Sequence, residues 1–153
     1  MSTNLDHIIV EPGELCFSQS PIIISTLLGS CVAITAWHSE LKVGGMCHYL
    51  LPNTSQLKGR KKYVYAEFAL VAMKNLMLSY AALNEYEVGI FGGSTIFSDD
   101  EFFNIGRKNI EVARDWMALF DMIPRYTACG GNMSRHVALN LTSGAIKLRE
   151  LQL

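Results

Sequence analysis

Cys31 and His48 are the residues of this sequence that could perform covalent chemistry together. Cys31 stands at the junction of two apolar runs, in the segment Leu27-Leu28-Gly29-Ser30-Cys31-Val32. A glycine-containing turn exposes backbone N–H groups, which can lower the pKa of a thiol from about 8.5. The same groups, around Gly29 and Ser30, could hold an oxyanion. The other interpretation is that Cys31 is a small buried apolar residue, since free cysteine is among the most buried residue types.

His48 lies in an apolar, strand-like segment, Gly44-Gly45-Met46-Cys47-His48-Tyr49-Leu50-Leu51-Pro52. An imidazole in such a strand needs a partner, so His48 is either a hydrogen-bonded core residue or the base of a catalytic pair. The two glycines permit close backbone approach, and a neighbouring strand of the same hairpin could bring Cys31 within reach. A thiol beside a histidine is typical of nucleophilic attack on acyl groups.

Ser25 and Thr26 precede the cysteine turn and could supply a third group. A hydroxyl there could accept the second imidazole N–H and hold the histidine in one tautomer. Strand alternation directs one of the two side chains inward and the other outward. The other interpretation is that at least one of them is an ordinary polar strand residue.

The remaining cysteines and histidines are predicted to have structural roles. Cys47 is adjacent to His48 in a strand, so the two side chains should point to opposite faces, which disfavours Cys47 as the nucleophile. The others are expected in apolar strands (Cys16 and Cys129) or at surface and turn positions (His7, His38 and His136).

The order of secondary-structure elements predicts an α+β fold with layered mixed sheets. Closely spaced strand-like runs at 22–27, 32–37 and 43–50 suggest antiparallel pairing, and the polar segment 53–62 is predicted to be an exposed loop. Helices are predicted over 65–83 and from 104 or 105 to Pro124, separated by a strand at 88–91 and followed by three more strands. We expect two helices among six to eight strands, in one domain that spans residues 1–153.

Composition excludes several functional classes. The formal net charge is −1 and charged residues make up 18% of the chain, so we expect no binding to nucleic acid or to an anionic membrane. We expect no membrane insertion, since the most apolar stretch, 68–83, is interrupted by polar residues. No CxxC pair indicates structural zinc, and no glycine turn has a nucleotide-binding motif. Without a recognisable secretory signal, reduced thiols and a cytoplasmic location are predicted.

Several segments, taken in order and spacing, resemble one known family. They are Leu28-Gly29-Ser30-Cys31-Val32-Ala33, Gly44 to Pro52, Phe91-Gly92-Gly93, Ile105-Gly106-Arg107-Lys108-Asn109 and Gly130-Gly131-Asn132. The sequence resembles the chemoreceptor glutamine deamidase family, CheD, from about residue 11 to residue 149. The first two motifs together are highly specific.

This resemblance implies a cysteine hydrolase fold similar to the catalytic domain of cytotoxic necrotizing factor toxins. It also implies a Cys-His-Thr triad, in which Cys31 and His48 are the first two members. The threonine of the family, six positions before the cysteine, falls on Ser25, so Ser25 is ranked first and Thr26 second. Cys47 stands where the family usually has a small residue.

The implied activity is hydrolysis of glutamine side chains to glutamate on the cytoplasmic helices of chemotaxis receptors, through a thioester and without a metal or cofactor. A CheC-type phosphatase is an implied partner. Two alternatives stay open: a non-enzymatic chemotaxis adaptor that binds receptor or phosphatase, and a methylesterase that acts on receptor side chains.

Overall fold

The computed structural model describes residues 5–53, 61–95 and 104–153, and the fold within these ranges is α+β, as predicted. The strands are β1 (Asp6–Ile9), β2 (Leu15–Ser18), β3 (Ile22–Leu28), β4 (Val32–His38), β5 (Val43–Tyr49), β6 (Glu87–Gly92), β7 (Tyr126–Cys129), β8 (Met133–Asn140) and β9 (Ile146–Gln152). The α-helices are α1 (Ala66–Leu78) and α2 (Ile105–Leu119). Residues 54–60 of the predicted loop lie outside the described residues.

The sequence pattern predicts the buried strands and misses two edge strands. β1 and β2 have four residues each and no fully buried position, so they lack the apolar alternation that identifies a strand. The first helix ends at Leu78, whereas the predicted end was residue 83. The prediction was too long because the residues Tyr80 to Leu83 favour helix and contain no stop signal.

The strands form two mixed sheets, one in the order β1-β3-β8-β9 and the other in the order β2-β5-β4-β6-β7. The predicted antiparallel pairing of neighbouring strands is confirmed for β4 with β5. It is wrong for β3, which does not pair with β4 but with β1 and β8. The reason is that the chain crosses from one sheet to the other at residues 29–31. The crossing places β3 and the β4–β5 hairpin face to face instead of edge to edge.

The two sheets pack on each other, and both α-helices cover the far side of the five-stranded sheet. β4 and β5 are buried along their whole length because both of their faces are covered. β8 instead alternates between buried and half-buried positions, since its outer side faces solvent. None of the described helices is long and apolar enough to span a membrane.

Two glycine pairs follow strands, and their second members differ in how closely they are packed. Gly93 has φ +71°, and a Cβ there would lie 2.3 Å from Cγ1 of Ile110 on α2. Gly131 has nearly the same backbone, φ +72°, but no described atom lies within 4 Å of its Cβ position. Gly93 therefore allows the end of β6 to contact α2 directly.

Gly93→Ala should lower the free energy of unfolding by about 1–3 kcal/mol more than Gly131→Ala, as measured by urea denaturation. Both substitutions impose an alanine on a positive φ, so the difference between them isolates the collision with Ile110 and Gly106 of α2. Equal losses in the two variants would contradict tight packing of β6 against α2.

Candidate active site

The turn at residues 29–31 has all three of its carbonyl groups anchored by hydrogen bonds. Gly29 O accepts from the Ser94 N–H at 2.9 Å, Ser30 O from Asn109 Nδ2 at 3.1 Å, and Cys31 O from the Gly93 N–H at 2.8 Å. The donors come from α2 and from the chain just after β6. The turn is thus held from one side by two distant segments.

The anchored carbonyls determine where the N–H groups of the turn point. In a planar trans peptide, the N–H lies opposite the C=O of the preceding residue. The N–H of Ser30 therefore points away from Ser94 and the N–H of Cys31 points away from Asn109, and the two groups have no acceptor among the described residues apart from the Cys31 sulfur itself. Two such N–H groups can stabilise an oxyanion, with Gly29 as an anchor of the turn.

Asn109 connects this turn to the end of the histidine strand. Its side chain is fully buried, and Nδ2 donates both to Ser30 O and, at 3.0 Å, to Leu50 O, two residues after His48. Its own carbonyl accepts a hydrogen bond from the Tyr49 hydroxyl at 2.5 Å. Sequence analysis placed Asn109 only within a motif, although a polar residue on the apolar side of an amphipathic helix was an available signal.

His48 is held in one tautomer by Thr26. The Thr26 hydroxyl lies 2.5 Å from Val10 O and 2.7 Å from His48 Nδ1. A hydroxyl has one proton, and a carbonyl oxygen can only accept, so Thr26 donates to Val10 and accepts from the Nδ1–H of His48. The other ring nitrogen, Nε2, then carries a lone pair. It is buried and has no hydrogen-bond partner among the described residues.

Val10 takes part through its backbone alone, so no side-chain signal could have revealed it. Its position is fixed by a hydrogen bond from its N–H to Ser25 O at 2.8 Å, which continues the pairing of β1 with β3. The carbonyl that orients Thr26 therefore belongs to the residue directly after β1, an edge strand that the sequence pattern did not predict.

The structure places Thr26, and not Ser25, against His48, which reverses the order of preference derived from the sequence. Strand alternation separates the two hydroxyls as predicted, but the inward side chain is that of Thr26. Ser25 lines a groove on the outer face of the four-stranded sheet. The physical reason is the register of β3: Ile24, Thr26 and Leu28 all point into the space between the sheets.

Cys31 and His48 lie on the same side of the five-stranded sheet. His48 pairs with Ala33 across the β4–β5 ladder, and Cys31 is two residues before Ala33, so it is a diagonal neighbour of His48. Cys31 packs against the core between the sheets, whereas Cys47 is buried in the core under the helices. The predicted divergence of Cys47 from His48 is confirmed.

Burial sets the charge state of both residues. Burial raises the pKa of the Cys31 thiol to about 11, and its own backbone N–H offsets only part of this effect. Burial lowers the pKa of His48 below 6.5, and the Val10 carbonyl offsets part of that change. The expected lowering of the Cys31 pKa is therefore wrong for the resting protein, in which the Cys31 thiol and the His48 imidazole are both neutral.

The other candidate residues lie away from this pair. Four of them occupy strands or the surface as predicted: Cys16, Cys129, His7 and His136. His38 lies at the β4–β5 turn, one of the two predicted positions, where its Nδ1 and backbone oxygen accept from the N–H groups of Leu41 and Lys42. It is not at the surface, because its ring is buried edge-on against Tyr86 and its Nε2 bonds Glu85 at 3.1 Å. Within the described ranges, no group of three His, Cys, Asp or Glu side chains could hold a metal ion.

Comparison with known proteins identifies the family. A family model described as CheD chemotactic sensory transduction matches residues 50–150. The chain belongs to the CheD family. It is 31% identical to "Probable chemoreceptor glutamine deamidase CheD 3" of Dechloromonas aromatica, with 95% of this chain and 88% of that protein covered.

Two further CheD relatives match the chain over almost its whole length. The chain is 31% identical to CheD 1 of Chromobacterium violaceum, over 96% of this chain and 79% of the relative. It is 29% identical to CheD of Methanococcus vannielii, over 92% and 93% respectively. Coverage this high includes positions 31 and 48, which lie before the segment matched by the family model.

Asn109→Ala should lower the free energy of unfolding by about 1–3 kcal/mol, because it leaves the half-buried carbonyls of Ser30 and Leu50 without their shared donor. Asn75→Ala, at an exposed position of α1, is the matched control and should change stability by less than about 0.5 kcal/mol. Urea denaturation of both variants checks the prediction. Similar losses would mean that the Asn109 bonds contribute nothing specific.

Proposed function

We propose that this CheD protein hydrolyses glutamine side chains of chemotaxis receptors to glutamate, with Cys31 as nucleophile and His48 as general base. The observation that carries the proposal is the hydrogen-bond chain from Val10 through Thr26 to His48, which leaves the lone pair of Nε2 free on the side of the sheet where Cys31 lies. The names of the relatives supply the substrate class, since they are called chemoreceptor glutamine deamidases.

In the proposed first half-reaction, Nε2 of His48 takes the thiol proton of Cys31 while the sulfur attacks the carboxamide carbon of glutamine. The carbonyl oxygen becomes an oxyanion and receives hydrogen bonds from the N–H groups of Ser30 and Cys31, each worth about 3 kcal/mol. The C–N bond then breaks as His48 returns its proton to nitrogen. Ammonia leaves, and a thioester remains on Cys31.

In the second half-reaction, a water molecule gives a proton to His48 and attacks the thioester carbon. The C–S bond breaks, the sulfur recovers the proton from His48, and glutamate is released. Thr26 is assigned the role of positioning residue, because its hydroxyl accepts the Nδ1–H of the neutral ring and of the imidazolium alike. Ser25 is not assigned this role.

The neutral resting pair supports base-assisted attack over a stored thiolate. A thiol with a pKa of about 11 is almost fully protonated at neutral pH, so the thiolate must form as the substrate is attacked. His48 suits this task because its lowered pKa keeps the imidazole unprotonated and able to accept the proton.

We also propose the wider setting that the resemblance implies. Residues 1–153 act as one catalytic unit in the cytoplasm, where free thiols such as those of Cys16 and Cys129 persist. The two packed sheets and the cysteine–histidine pair support a relation to the hydrolase domain of cytotoxic necrotizing factor toxins. A CheC-type phosphatase is the proposed regulatory partner.

Cys31→Ala should reduce deamidation of a purified receptor cytoplasmic fragment by at least about a thousandfold, because the covalent step is lost. Cys47→Ala is the matched control and should keep the rate within about twofold, since Cys47 is buried among the helices on the other side of the sheet. Mass spectrometry of glutamine-to-glutamate conversion measures both.

Each outcome of this experiment distinguishes the proposed activity from its alternatives. Receptor binding without conversion by the unmodified protein would indicate an adaptor. Release of methanol from a methylated receptor fragment, without conversion of glutamine, would indicate a methylesterase. Equal loss of activity in both cysteine variants would contradict the assignment of Cys31.

Thr26→Val should lower kcat by about tenfold or more with little change in KM, because His48 loses the group that holds its tautomer. Thr35→Val is a suitable control, since Thr35 is equally buried in β4, and it should leave kcat within about twofold. If Ser25→Ala lowered kcat while Thr26→Val did not, the assignment of the positioning hydroxyl would be reversed.

A further inference from the structure

A groove of about 350 Å³ lies on the outer face of the four-stranded sheet, on the opposite side of β3 from Thr26. Strand register explains its shape, because Ser25 stands opposite Ala138, and Ala138 stands opposite Lys147. Two small side chains therefore occupy the middle row of the face. Longer side chains form the walls, with His136 and Arg149 on one side of this row and Ile23 and Asn140 on the other.

The charge of this groove is unlike that of the whole chain. The protein carries 14 acidic and 13 strongly basic residues, yet the groove is lined by four basic side chains and no carboxylate: His7, His136, Lys147 and Arg149. The nearest acidic residue along β9, Glu150, points to the other face and binds Arg135 at 2.8 Å. Lys147 and Arg149 form no ion pair with any described residue.

The uncharged polar groups of the groove add hydrogen-bond donors. Asn140 uses its Oδ1 to accept from the N–H groups of Thr142 and Ser143, so its amide NH₂ is the part that stays available. Ser25 contributes a hydroxyl that bonds no described residue. Lysine, arginine and an amide NH₂ can only donate, which makes the groove complementary to a ligand rich in acceptor oxygens.

We propose that this groove binds a small molecule that carries a phosphate group. A phosphate offers three acceptor oxygens and close to two negative charges, which suit the paired cations of β9. Arginine and lysine lie two residues apart on one face of that strand, so both can reach a single phosphate. The volume is at the lower end of small-molecule sites, which are about 300–1,000 Å³, so the ligand is compact.

The test is a titration of the full chain with inorganic phosphate and with glycerol 3-phosphate at constant ionic strength. Backbone amide NMR shifts locate the site, and calorimetry gives the affinity. We expect saturable binding with shifts in β3, β8 and β9. The double substitution Lys147→Gln and Arg149→Gln should weaken binding by at least about tenfold. Lys108→Gln with Arg114→Gln, which removes the same charge from the exposed side of α2, should not.

Ala138→Leu distinguishes a built groove from a merely basic surface, because it fills the middle row and leaves the charge unchanged. Loss of binding in this variant supports the proposal, provided that its unfolding curve matches that of the parent protein. If Ala138→Leu misfolds, the test of the proposal is the double substitution Lys147→Gln and Arg149→Gln, which changes only exposed side chains.

Two outcomes would overturn the proposal. One is binding that does not saturate or that weakens equally in both double variants, which would indicate a diffuse effect of charge. The other is equal or tighter binding of succinate, which would assign the groove to dicarboxylates. Neither outcome involves receptor deamidation, so these experiments test the groove independently of the proposed function.

Discussion

The hydroxyl of Thr26 has a single proton, and the chemistry of the site depends on where that proton goes. It goes to the Val10 carbonyl, which cannot donate, so the oxygen of Thr26 must accept from His48. The consequence is an imidazole with its proton on Nδ1 and its lone pair on Nε2. A backbone carbonyl at the end of an edge strand, on the residue directly after β1, thus sets the tautomer of a histidine in the other sheet.

This arrangement requires two sheets that face each other. Thr26 lies on the inner side of one sheet and His48 on the inner side of the other, so their contact exists only because the sheets pack together. The crossing at residues 29–31 connects the two sheets and places Cys31 at their junction. Asn109 then connects this crossing to the end of β5 by hydrogen bonds to Ser30 O and Leu50 O, which holds the turn that contains Cys31 and the strand that contains His48 in one geometry.

Burial gives the site its resting state. The same desolvation that raises the pKa of Cys31 to about 11 lowers that of His48, so both residues are neutral when no substrate is present. A neutral thiol is a weak nucleophile, and its activation depends on a base that is in place and unprotonated.

The sequence by itself determined the α+β class, most of the buried strands, and the motifs that contain Cys31 and His48. Alternation in β5 also separated Cys47 from His48, since side chains in a strand point to opposite faces in turn. These features depend on local periodicity and residue type, which a single sequence records directly.

Only the tertiary structure decided that β3 leaves the β4–β5 hairpin, that Thr26 and not Ser25 meets His48, and that the Val10 carbonyl and Asn109 support the site. Alternation requires that one of the two hydroxyls point inward, but which one depends on the register of β3 against β8, and register is a long-range property. The prediction of a lowered pKa for Cys31 was wrong because this pKa, too, depends on residues distant in the sequence. The turn suggested stabilising N–H groups, whereas the dominant effect, desolvation, comes from residues far away in the chain.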